Sequence, residues 1–281
     1  MKSIKNKKLL VVAGLILSLG VFVAVASANN SWSKYHWNIS TAESIENPLV
    51  LGNNLTTSAW NTSLAGTSAD WNASVLKNGV VAGTNTDCNP VLGGVEVCNS
   101  KYGNNGWLGI AQIWIYRGRA GHIAQGLVKV NDTYFNTPQY DTQAWRNLVM
   151  CQEVGHTYGL GHQDEDFSNA NLGTCMDYTS DPDGTILGQL DNQHPNQHDY
   201  DVLTKKYAHL NETTSDEPKK GKGGGNNGKK KAGVGANIDL SNPSAWGQAI
   251  KQDAQGRNSL YERNLVNGVK VFTFVIWADG E

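Results

Sequence analysis

The stretch Cys151-Gln152-Glu153-Val154-Gly155-His156-Thr157-Tyr158-Gly159-Leu160-Gly161-His162 constrains this chain more than any other. On a helix, positions 152 and 156 lie one turn apart on one face, so both side chains reach a common point. Gly159 lets the backbone leave the helix, and His162 then swings back toward that point. The fold must therefore gather polar side chains at a helix end.

Zinc takes nitrogen, sulfur or carboxylate donors at about 2 Å, and a catalytic site keeps one position for water. His156 and His162, with Glu153 within a turn, meet most of that requirement. Read singly, two histidines at a helix end are as readily ordinary polar residues. Gly159 between them tips the balance toward ligands, as does the acidic run Asp164-Glu165-Asp166, which offers carboxylates to orient the imidazoles.

The flanking sequence frames a helix. Asp141-Thr142 is a good N-cap pair, which predicts a helix from Gln143 to about Tyr158 with Trp145, Leu148 and Val149 as its apolar stripe. Upstream, a weak helix is expected over 55–65, a strand with a turn over 74–81, and a short strand at Val95–Cys98. Trp107–Ile115 is apolar on both faces and reads as a central strand. After a basic turn at Arg117-Gly118-Arg119, His122–Val130 alternates as another strand. A closing helix is expected from His198 to Leu210. His122, His194, His198 and His209 are read as surface or structural residues. His122 stands nearest the expected cleft, as a substitute ligand or substrate contact.

Composition divides the rest. Residues 1–28 carry Lys2, Lys5, Lys7 and Lys8, an apolar run and Ala26-Ser27-Ala28, the order of a secretory signal cleaved after Ala28. An uncleaved membrane anchor is the alternative. The main domain is expected over 29–213. A Lys/Gly-rich flexible linker follows over 214–236, then a small C-terminal β-hairpin segment over 237–281, with Asn267-Gly268 as its two-residue turn. That hairpin must pack on the Trp246 segment, dock on the main domain or pair with a partner. The net charge of −2 gives no global attraction to nucleic acid. The linker lysines make a solvated spacer, with weak cell-surface association as a second role. Four cysteines suit an oxidising compartment and allow three pairings that sequence alone does not separate. The favoured pairing is Cys88 with Cys98, a short loop closed by nearby strands, and Cys151 with Cys175.

The motif from Gln152 to His162 resembles the long zinc-binding motif of the metzincin metallopeptidases, H-E-x-x-H-x-x-G-x-x-H, with Gln152 in place of the first histidine. Met176, in Cys-Met-Asp-Tyr, sits where the methionine turn of that family lies beneath the metal. Tyr178 matches a tyrosine that in some metzincins ligates zinc or stabilises the oxyanion. The resemblance covers roughly residues 100–210 and extends plausibly back to Asn29. It implies an α+β, metzincin-like domain: a twisted mixed sheet, an active-site helix, a Met-turn and a C-terminal helix. It further implies one catalytic Zn2+ held by Gln152, His156 and His162, with Glu153 as general base. By the same resemblance a protein or peptide substrate pairs with an edge strand before the metal helix, here His122–Val130. The chain before the helix leaves little room for a separate pro-domain, so latency through one is not expected.

Gln152 leaves three outcomes open. Its amide oxygen is a poorer zinc ligand than imidazole but has similar reach. It is a weak third ligand, or water fills its place, or the metal is lost. The expected function is a secreted, monomeric zinc endopeptidase. A catalytically inactive secreted binding or adhesion protein of the same shape is the alternative, and a peptidase using another metal the third.

Overall fold

The computed structural model describes residues 29–83, 87–116, 121–210 and 238–278. The expected signal, the basic turn at 117–119 and the linker at 214–236 lie outside the described residues. Among those described, no helix is long and apolar enough to cross a membrane.

The chain forms a mixed α/β fold on one large mixed sheet. Its strands are β1 (His36–Trp37), β2 (Leu49–Asn54), β3 (Asn78–Ala82), β4 (Gly94–Ser100), β5 (Trp107–Tyr116), β6 (His122–Asn131), β7 (Gln248–Gln252), β8 (Asn258–Asn264) and β9 (Val269–Trp277). The helices are α1 (Thr41–Glu46), α2 (Ser58–Trp71), α3 (Asp132–Phe135), α4 (Gln143–Thr157) and α5 (Gln197–Tyr207). Strand order is β3-β2-β4-β6-β5-β9-β8-β7, with β1 beside β6. The first half is parallel; from β6 through β5 to β7 every pairing is antiparallel.

Two apolar cores flank the sheet. Trp60, Leu64 and Trp71 of α2 and Leu148, Val149 and Val154 of α4 pack with Leu51, Val95, Val97 and Val128 on one face. On the other, Trp107, Ile110, Trp114 and Leu127 meet Leu240, Trp246, Val271 and Val275. β9 alternates accordingly, sending Phe272, Phe274 and Ile276 to the first core and Val269, Val271 and Val275 to the second. The C-terminal segment thus docks on the main sheet and packs on Trp246.

Three expectations are corrected. His122–Val130 is not an edge strand: β6 lies between β4 and β5, because its own far edge takes the parallel strands β1 and β4. The hairpin turn is not two residues long but a 3-10 turn over Val266–Gly268, closed by the Leu265 amide on the Val269 carbonyl at 2.7 Å. The helix expected over 55–65 begins at Ser58, capped by Thr57, and continues to Trp71. The closing helix runs Gln197–Tyr207 with a 3-10 turn to Leu210. Both favoured disulfides are present, Cys88–Cys98 and Cys151–Cys175.

Candidate metal centre

The candidate site is built at the end of α4. Thr142 caps the helix by accepting the Trp145 amide at 3.2 Å. At the other end Gly159 has a φ of 92°, and the amides of Gly159 and Leu160 return to the carbonyls of His156 and Gly155 at 3.0 and 3.4 Å. This is the double bond of a left-handed helix stop. A Cβ at Gly159 would stand 2.2 Å from the Tyr35 carbonyl oxygen, so no other residue fits. The next carbonyls are taken by Trp37 Nε1 on Thr157 at 2.8 Å and the Tyr207 hydroxyl on Tyr158 at 3.2 Å.

That stop brings His162 back onto His156. Their Nε2 atoms are 2.9 Å apart, and the rings meet edge to face with centroids 4.4 Å apart. His156 Nδ1 faces the Leu160 carbonyl at 2.9 Å, and His162 Nδ1 faces Glu165 Oε1. Both partners only accept, so both Nδ1 atoms carry hydrogen, and with both rings neutral both Nε2 atoms present lone pairs to each other. Two facing lone pairs repel unless a cation lies between them, either a metal ion or a second proton on one ring. Burial, then His162, pushes His156 well below the usual imidazole range, which disfavours the proton there.

Glu165 anchors His162. Burial pushes its carboxyl up, but His162 and Lys251 outweigh that and hold it at about 2. Lys251 Nζ lies 2.8 Å from Oε1 and the Ser259 hydroxyl donates to Oε2 at 3.0 Å. Of the acidic run that sequence offered as orienting groups, Glu165 is the member that makes this contact.

Gln152 is fully buried one turn before His156. Its Nε2 donates to the Cys175 carbonyl at 2.8 Å, which fixes the amide orientation, and its Oε1 has no hydrogen-bond partner. Among the described residues no three histidine, cysteine or acidic side chains are grouped as a metal would need. The Gln152 oxygen is the unpartnered buried donor one helical turn before His156. Glu153 is also fully buried, with neither carboxyl oxygen hydrogen-bonded, and burial pushes its carboxyl well above the ordinary range. It lies against Gly109 of β5, where a Cβ would come within 2.5 Å of Val149 and 2.9 Å of Glu153 Oε1. Only glycine permits this close approach of strand and helix.

The disulfide from Cys151 to Cys175 ties the turn that carries Met176 to α4. Met176 is fully buried with its sulfur against the helix backbone at Gly155. Tyr178 packs on His162 with ring centroids 4.6 Å apart, and its hydroxyl donates to the Val275 carbonyl of β9 at 2.8 Å. Phe274 of β9 stacks on His156 at 4.1 Å and 11°. Sequence reasoning gave Phe274 no role here; its signal was an alternating aromatic strand with no assigned partner. His122 stands instead beside His36, ring centroids 4.9 Å apart.

The donor types suit a divalent ion of intermediate softness: two imidazole nitrogens, with an orphaned amide oxygen one helical turn before the first. A tetrahedral ion with bonds of about 2.0 Å asks for ligand nitrogens about 3.3 Å apart. The 2.9 Å separation needs to open by only a few tenths of an ångström.

No family model matches the chain, and no curated protein matches it. Among solved structures, the chain is similar to one described as the structure of myroilysin, at 10% identity and a TM-score of 0.32, over 57% of this chain and 79% of that one. A likeness at that level carries no argument about activity, and the site is read from its own geometry.

Proposed function

We propose that the protein is a secreted, zinc-dependent endopeptidase of metzincin type. The observation that carries the reading is the pair of imidazole nitrogens facing each other at 2.9 Å at the end of a helix that also carries the buried, unpartnered Glu153. A scaffold gains nothing from Glu153, whose burial costs desolvation without a compensating hydrogen bond. Gln152, His156 and His162 would hold the ion, which when bound supplies electrostatic stabilisation and lowers the pKa of water.

The chain's own residues do the rest. Glu153, its proton affinity raised by burial, takes a proton from the attacking water and delivers it to the departing amide nitrogen. One C–O bond forms and one C–N bond breaks. Glu165 holds His162 in the tautomer that points Nε2 inward. Tyr178, released from Val275, offers its hydroxyl to the carbonyl oxygen of a substrate. The N-terminal sequence and the two disulfides support an exported location.

The second reading, an inactive secreted binding protein, is supported by Phe274 lying over His156. One comparison separates the two: cleavage of an unfolded protein by wild type and by Glu153→Ala. The peptidase reading expects cleavage lost in the variant with its fold intact; equal inertness of both, each loaded with zinc, rules it out.

A further inference from the structure

The strand that covers the site belongs to the chain itself, and it lies as an extended peptide would. β9 runs antiparallel to β5 from Trp107↔Trp277 to Tyr116↔Val269. It crosses the site where Gly109, the neighbour of Glu153, pairs with Ile276, and Ala111 pairs with Phe274. Phe274 lies on the His156 ring and is met edge-on by Trp32 at 4.9 Å, while Phe272 meets Trp32 at 4.6 Å. The β8 ladder stops at Leu260↔Phe274, leaving the Val275 carbonyl free of a strand partner on that side. The Tyr178 hydroxyl takes that carbonyl at 2.8 Å. The donor that the proposed chemistry would offer to a substrate carbonyl is thus already engaged by a carbonyl of β9.

We propose that β9 is an internal pseudosubstrate: it occupies the peptide-docking edge of β5, holds the protein latent, and marks the substrate class. This rests on the peptidase reading. The ligand that replaces it is an extended peptide with a large aromatic side chain at the register of Phe274 and aliphatic residues following, as in Val271-Phe272-Thr273-Phe274-Val275-Ile276. Main-chain pairing to β5 supplies affinity independent of sequence, and the pocket between His156 and Trp32 supplies selectivity. The hairpin is further pinned beside the site by Lys251 and Ser259 on Glu165, by the Ala254 amide on the Glu165 carbonyl at 3.2 Å, and by Gln255 on Asp166. These contacts come from β7, β8 and the turn between them, so they hold the neighbours of β9 beside Glu165.

The test uses the full chain loaded with zinc. Phe274→Ala should raise the rate of casein cleavage on the order of tenfold by shifting the docked population. A peptide of residues 269–277 with added terminal lysines should reverse that rise when supplied in trans. Hydrogen exchange on wild type, which needs no variant, should show β9 amides opening well before those of β4 and β6. The inference is overturned if a folded Phe274→Ala chain binds zinc yet cleaves no faster than wild type, or if β9 exchanges only with global unfolding. Absence of zinc binding and of cleavage in both chains overturns the peptidase reading itself, and the pseudosubstrate with it.

Discussion

The side-chain amide of Gln152 donates to the carbonyl of Cys175 at 2.8 Å, and Cys175 is disulfide-bonded to Cys151, the residue beside Gln152. One covalent and one hydrogen bond therefore set the amide so that its oxygen, not its nitrogen, is left unpaired at the site. An amide oxygen is a weaker donor to zinc than imidazole. Gln152→His should tighten zinc binding by at least roughly tenfold with activity retained, as read by competition with a chromophoric chelator. Unchanged affinity would show that position 152 does not reach the ion.

Glu165 positions His162, and the loss of such a partner at a metal site typically costs about 10- to 100-fold in affinity. Glu165→Ala should show a cost of that size in a zinc titration. A loss of thermal stability with unchanged zinc affinity would assign Glu165 a purely structural role.

Glu153 is a buried carboxyl without a hydrogen-bond partner, so its removal should not destabilise the fold. Glu153→Ala should lower peptide cleavage by roughly 100- to 10,000-fold, the usual contribution of a general base. Its melting temperature should stay equal or rise, by calorimetry of both proteins. A lower melting temperature would mean that Glu153 is held by stabilising interactions and is not kept at a cost for chemistry.

Asp177 gives the fold a pH dependence. Burial raises its carboxyl to about 7, opposed by the Leu172 amide and Asn192 and assisted by Asp164 and Asp166. The folded state therefore binds this proton more tightly than the unfolded chain, whose value is 3.8. The stabilisation is complete below the unfolded value and is lost as pH rises through the folded one. Asp177→Asn keeps an acceptor oxygen for Leu172 and Asn192 and cannot ionise. Urea unfolding should find the variant gaining on wild type between about pH 5 and about pH 8. A pH-independent difference would contradict the shift.

The Cys151–Cys175 bridge closes a loop of sequence separation 24. Replacing both cysteines with alanine should cost about 3 kcal/mol in urea unfolding. It should also weaken zinc binding, because the turn that presents the Cys175 carbonyl to Gln152 is no longer tied to α4.

Local signals made the site helix legible. Thr142 as cap, the stripe Trp145-Leu148-Val149, and Gly159 as the stop all act within a few residues of one another. Sequence alone left three disulfide pairings open; the short Cys88–Cys98 loop only favoured the one present, with Cys151–Cys175 as the remaining pair. What escaped was set by distant pairing. β2 has a weak alternation and earns its place through parallel neighbours β3 and β4. His122–Val130 has the pattern of any half-buried strand, and only β1 and β4 on its far side make it internal. The hairpin's apolar strand was visible, but its partner β5 lies more than a hundred residues earlier, and nothing local specifies that register. For the same reason Phe274 over His156 and Tyr178 on Val275 could be seen only in three dimensions.

The proposed peptidase needs a metal held by His156, His162 and Gln152. Elemental analysis of protein purified from its natural medium without chelator or added metal tests it most directly. About one zinc per chain is expected, lost on His156→Ala. Protein that is folded and carries no stoichiometric divalent metal would contradict it.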